Sequence, residues 1–170
     1  MTVKICGAIF VILACSGFGF SLAAAYLKEV RALRNLIKAV NYMKSELQYR
    51  YTALPELCAH AAQATDGCIR KFFLLLVAEL ESQICPNTEQ CVLNVLARQQ
   101  DLPSHAKEII AELGKTLGAF GLSGQLEGLL QVHAACEERL TNLTKHQDIR
   151  VRSYQTLGVC AGAALAILLV

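Results

Sequence analysis

The stretch Val30–Leu47, VRALRNLIKAVNYMKSEL, decides the fold. Its apolar residues fall at Val30, Leu33, Leu36/Ile37, Val40, Met43 and Leu47. Steps of three and four place them on one face of a helix, with 3.6 residues per turn. No proline or glycine interrupts the stretch. The spacing therefore predicts a long amphipathic helix with one face against a core.

N-terminal to this helix lies a different composition. Ile5 to Leu27 is 23 residues without a charge. About 20 helical residues cross the roughly 30 Å apolar core of a bilayer. Residues 5–27 are read as a transmembrane helix that continues into the amphipathic one. A cleaved signal peptide is the competing reading, with Lys4 as its basic start and Ala23-Ala24-Ala25 as its cleavage site. The run exceeds the 7–15 residues of a signal core and leads into Lys28, Arg31, Arg34 and Lys38. That basic flank favours a retained anchor.

The other end mirrors this. Ser153 to Val170 is 18 uncharged residues, at the lower limit for a span. Residues 154–170 are read as a second transmembrane helix, against a buried terminal helix of the core. Gly158 and Gly162 form a G-x-x-x-G pair that allows close helix packing in lipid. Residues 28–153 hold 15 Lys/Arg and 14 Asp/Glu in 126 positions, an ordinary soluble charge density. Only Lys4 lies on the far side of the first run, so the basic flanks place the middle domain in the cytoplasm.

Farther along, breakers divide the middle. Thr52-Ala53-Leu54-Pro55-Glu56 ends the first helix and starts a second, Leu57 to Ala64, with Pro55 in its first turn. Thr65-Asp66-Gly67 is a turn. Cys68 to Ile84 is a third helix, central to the core through its apolar run Phe72 to Ala78. Asn87 caps a fourth helix to Gln99. A fifth runs from Ser104 to Leu117, and a glycine-rich turn spans Gly118 to Gly124. From Gln125 a last helix carries a stripe through Leu126, Leu129/Leu130, His133, Cys136, Leu140 and Leu143, with His133 read as a core histidine. No segment alternates over strand length. The fold class is all-α, an antiparallel bundle of about six helices between two membrane helices.

Sites of chemistry are few. A formal charge of +2 gives no footprint for nucleic acid. The eight cysteines show no C-x-x-C and no zinc spacing with histidine, and they read as small apolar fillers. Cys85 and Cys91, on either side of Pro86, are close enough in sequence for a local bridge. His60, His105, His133 and His146 are scattered and pair with no nucleophile by spacing. Gly114-Lys115-Thr116 imitates the end of a phosphate-binding loop, but Ile109 stands where its first glycine belongs. Asn142-Leu143-Thr144 matches a glycosylation sequon that a cytoplasmic domain would not use. Uncharged spans speak against an ion-coupled transporter. The expectation is a protein without catalytic residues, cofactor, metal or small-molecule substrate.

Three sets of residues carry a resemblance. Gly7-Ala8 and Gly19-Phe20 precede Tyr26 and the basic stretch. Glu46-Leu47-Gln48-Tyr49 is followed by Thr52-Ala53-Leu54-Pro55-Glu56. Leu113-Gly114-Lys115-Thr116-Leu117-Gly118 is followed by Gln125. In this order they resemble the stage III sporulation protein AB family of endospore-forming bacteria, over nearly the whole chain. Ala53 stands where the family favours proline, and Gly121 where it favours aspartate. The resemblance implies a bundle similar to the cytoplasmic domain of the type II secretion F protein. It implies a non-catalytic part of the mother-cell channel complex, in the membrane facing the forespore. The implied partners are a secretion-type ATPase (stage III sporulation protein AA), other membrane proteins of the complex, and lipid. A generic membrane-anchored adaptor is the alternative. The candidate contact residues are Lys28, Arg31, Arg34 and Lys38, for partner or lipid headgroups, and Gly118, Gly121 and Gln125 at the glycine-rich turn.

Overall fold

Six helices occupy the described residues of the computed structural model: α1 Thr2–Tyr49, α2 Leu54–Gln63, α3 Gly67–Glu81, α4 Thr88–Arg98, α5 Ser104–Thr116 and α6 Leu122–Thr144. The described residues are 2–50, 52–83, 85–117 and 121–145, with the single helical positions Ser153, Thr156, Cys160 and Ala164. Among them there is no strand. The chain divides into two units, one of Met1–Lys28 with Asn142–Val170, the other Glu29–Thr141.

The Glu29–Thr141 unit is built on one apolar core. Leu33, Leu36, Val40 and Met43 of α1 are fully buried, as the three–four spacing predicts. They share a cluster with Leu57 and Ala61 of α2, Phe72 and Leu76 of α3, Val92 and Val95 of α4, Ile110 and Leu113 of α5, and Leu129 and Cys136 of α6. Each such side chain contributes about 1.5–3 kcal/mol by leaving water. Phe72 and Phe73 meet edge to face at 5.3 Å. The packing order follows the chain, α2 on α3, α3 on α4 and α4 on α5, as short loops dictate.

Local chemistry sets the helix ends. Asn87 caps α4, its Oδ1 accepting from the Gln90 N–H at 2.9 Å. α2 starts at Leu54 with Pro55 in its first turn, as expected, so the helix opens three residues before Leu57. Gly67 takes φ +62° at the start of α3, a conformation strained for any residue with a Cβ. The glycine-rich turn is shorter than read: α6 begins at Leu122, so Ser123 and Gly124 are helical. α3 is also less central than its apolar run indicates. Phe72, Phe73 and Leu76 are buried, whereas Leu74 and Leu75 are 52% and 39% exposed. The run covers all sides of the helix, and only one side meets the core.

In the other unit Ala23 and Tyr26 are buried, and the Tyr26 hydroxyl donates to the Leu143 carbonyl. Residues 5–27 lie within α1. Most side chains of 5–19 lie outside the described residues, as do 146–152 and all of 154–170 except three positions. Among the described residues no helix is long and apolar enough to cross a membrane. The two expected spans therefore find no support there.

Candidate interaction surfaces

The basic residues of α1 form a stripe. Lys28, Arg31, Arg34 and Lys38 are all exposed and stand three or four residues apart along α1. In the Glu29–Thr141 unit, Arg34, Ile37 and Lys38 face Glu137, Leu140 and Thr141 of α6 across a groove of about 530 Å³. Gly118 lies outside the described residues. Gly121 is exposed, and its carbonyl accepts from the Gln125 N–H at 3.0 Å, opening α6. Neither Gly121 nor Gln125 lines the groove, so the two groups of candidates do not form one site.

Gly114-Lys115-Thr116 proves to be packing. A Cβ on Gly114 would come 2.9 Å from the Val92 Cβ, so its hydrogen lets α5 approach α4. Thr116 lies over Gly128 of α6, where a Cβ would come within 2.5 Å of the Thr116 Cβ. Lys115 is exposed and holds Glu112 at 2.8 Å, an interaction that raises its pKa. A second groove, about 340 Å³, runs beside this contact over Ile109 and Val132, with Glu108 and Glu112 at its edge.

Three carboxylates organise the polar contacts between helices. Glu46 of α1 is buried; its Oε2 accepts from the Thr52 hydroxyl at 3.0 Å and lies 4.0 Å from His60 Nδ1, while Oε1 lies 3.8 Å from Arg50. It thus fixes the α1–α2 corner. Glu79 of α3 accepts from Asn94 at 3.2 Å, Arg98 at 3.1 Å and the Cys85 thiol at 3.5 Å. The Asn94 amide, then the Cys85 thiol, hold its pKa below the usual value. Glu29 of α1 lies 3.9 Å from His105 of α5 and 3.7 Å from Arg139 of α6. Glu46 and Thr52 lie in the stretch that carries the family resemblance, whereas Glu29 and Glu79 lie in none of the quoted motifs. Each sits three residues after a buried residue, Tyr26, Met43 or Leu76, and a charge at a core-facing register is the signal available.

The cysteines are free thiols among the described residues. Burial pushes Cys58 and Cys136 up to about 12. Burial, followed by a hydrogen bond with Cys85, pushes Cys91 up to about 11. Cys85 and Cys91 are thus neighbours without being bridged. His133 is half-buried and lies 3.7 Å from Glu137, at the core's edge, because its position on α6 falls beside the stripe. No group of three His, Cys, Asp or Glu is placed to hold a metal among the described residues.

An apolar core shared by six helices, with ion pairs between helices and grooves between α1 and α6 and between α5 and α6, defines an all-α helical-bundle protein. The family model described as stage III sporulation protein AB matches residues 4–170, and the chain belongs to that family. The stage III sporulation protein AB of Bacillus subtilis (strain 168) is 23% identical over 168 residues, covering 98% of each chain. No solved structure matches. Family membership supports a role in sporulation.

Proposed function

We propose that the chain is a non-catalytic, membrane-anchored structural component of the mother-cell channel complex, and that it couples a secretion-type ATPase to membrane components. Residues 5–27 and 154–170 are its anchors, and residues 28–153 face the cytoplasm. The observation that carries this reading is α1. One helix of 48 residues holds both the uncharged run and the stripe buried in the core. Within that run Phe20 and Leu22 are exposed, and in this reading lipid covers them. The resemblance to the type II secretion F protein supplies the platform role, and the ATPase is stage III sporulation protein AA.

The test is co-purification of the full-length chain from native membranes with its cognate ATPase, alongside deletion of the gene. Recovery of the ATPase with the chain and a block in spore formation are expected. Normal spores from the deletion strain would refute the assignment.

A further inference from the structure

The Cys85 sulfur, in the connection between α3 and α4, meets polar groups at the edge of the core. Its thiol donates to Glu79 Oε1 at 3.5 Å, and the Asn94 side-chain amide donates to its sulfur at 3.3 Å. The same amide donates to Glu79 Oε1 at 3.2 Å, and Arg98 donates to Glu79 Oε2 at 3.1 Å. A second thiol completes the cluster. Cys91 of α4 is hydrogen-bonded to Cys85, and that bond helps to hold the proton on Cys91, so Cys91 is its donor. Cysteines that serve as small apolar fillers are fully buried, as Cys58 and Cys136 are. Cys85 is instead partly exposed, with the buried Cys91 in contact with it.

We propose that Cys85 and Cys91 form a dithiol site that a hydroperoxide oxidises to a reversible disulfide, with Cys85 as the attacking sulfur and Cys91 as the resolving one. The thiolate is the nucleophile. Once its proton has left, the Cys85 sulfur keeps two donors, the Asn94 amide and the Cys91 S–H, while the Arg98 guanidinium offsets the Glu79 charge beside it. The Cys85 sulfur attacks one oxygen of hydrogen peroxide. An S–O bond forms, the O–O bond breaks, and the departing hydroxide leaves as water with the proton that Cys85 gave up. The product is a sulfenic acid, which condenses with a neighbouring thiol. The Cys91 sulfur attacks the Cys85 sulfur, the S–S bond forms and the S–O bond breaks. The second hydroxide takes the Cys91 proton and leaves as water. Two thiols have lost two electrons, and one peroxide has become two waters. The bond ties the α3–α4 connection to the first turns of α4 and removes the Cys85 donor from Glu79. The site lies wholly within the Glu29–Thr141 unit and is independent of how the chain meets a membrane.

The experiment treats the reduced, detergent-purified full chain with hydrogen peroxide, blocks the remaining thiols by alkylation, and maps peptides by mass spectrometry. A glutamyl endopeptidase cuts after Glu81, Glu89 and Glu108, so Cys85 and Cys91 fall on separate peptides, 82–89 and 90–108. The expected product is these two peptides joined, lighter than their sum by two hydrogens and parted again by a thiol reductant. The Cys85 and Cys91 thiols should disappear together, mole for mole. In C91S the joined peptide should be absent, and a 1,3-dione probe should trap a sulfenic acid on Cys85. In C85S the Cys91 thiol should be lost at least about tenfold more slowly than in the wild type. Two wild-type results would overturn the proposal whatever the variants do: both thiols surviving while other cysteines of the chain oxidise, or Cys85 passing to a sulfinic acid without the joined peptide. Loss of Cys91 in C85S at the wild-type rate would overturn the assignment of Cys85 as the attacking sulfur.

Discussion

Substituting Gly128 by alanine gives opposite signs under two accounts. Helix propensity alone favours alanine over glycine in α6 by about 1 kcal/mol. The packing opposes it. The new Cβ would come 2.5 Å from the Thr116 Cβ and 2.6 Å from its Cγ2, whereas carbon atoms settle at about 3.5–4.0 Å. α5 and α6 would have to separate by about 1 Å, because the Thr116 Cβ is fixed to the backbone and cannot rotate away. Overpacking of this kind costs about 1–3 kcal/mol. With the upper part of that range and the propensity gain subtracted, the net loss is about 2 kcal/mol. For a chain of this size that lowers the melting temperature by about 4–8 °C. Circular dichroism melts of the full chain in detergent would measure it. Thr116→Gly in the Gly128→Ala background removes both opposing atoms, and the cycle should show a coupling of about 1 kcal/mol or more. A melting temperature equal to or above wild type for Gly128→Ala would refute the packing argument.

Other consequences follow from particular residues. Asn87→Ala removes the cap of α4 and should cost about 1 kcal/mol in the same melt. Glu46→Ala leaves the part-buried Thr52 hydroxyl without its acceptor and should cost about 1 kcal/mol. Glu79 has its pKa lowered in the fold, so its contribution is complete above the ordinary carboxylate pKa and is lost as pH falls through the folded value. Glu79→Gln should therefore flatten the acid limb of a stability-against-pH curve. Cys58 and Cys136, pushed up to about 12, should react with a thiol reagent at pH 8 roughly fiftyfold more slowly than an ordinary thiol, their smaller thiolate fraction outweighing its greater nucleophilicity. Release of that block by denaturant, followed by absorbance, checks it, and it makes the exposed Gln100→Cys a better labelling position than either native thiol.

The periodicity that revealed α1 is a property of backbone geometry and solvent, so it is readable in a single sequence. The caps and breakers at Asn87, Pro55 and Gly67 act within a few residues and were readable for the same reason. Leu74 and Leu75 are exposed although their apolar run predicts burial, because apolar character records what a side chain tolerates and a helix at the edge of a bundle has more apolar surface than neighbours to cover it. The packing roles of Gly114 and Gly128 were hidden because the atoms opposing them, in Val92 and Thr116, belong to other helices. The hubs at Glu29, Glu46 and Glu79 lay between these cases. Their register marks them as facing inward, while partners such as His105, Arg139, Asn94 and Arg98 come from other helices. The basic stripe was visible as composition, but its alignment with Ile37, Leu140 and Glu137 required the approach of α6 to α1.

The proposed function requires that the uncharged runs 5–27 and 154–170 anchor the chain in a membrane. Alkaline carbonate extraction of membranes from cells producing the full chain addresses this directly, because it strips peripheral proteins and leaves spanning helices in place. The account predicts that the chain remains in the membrane pellet. Its recovery in the supernatant would contradict the account.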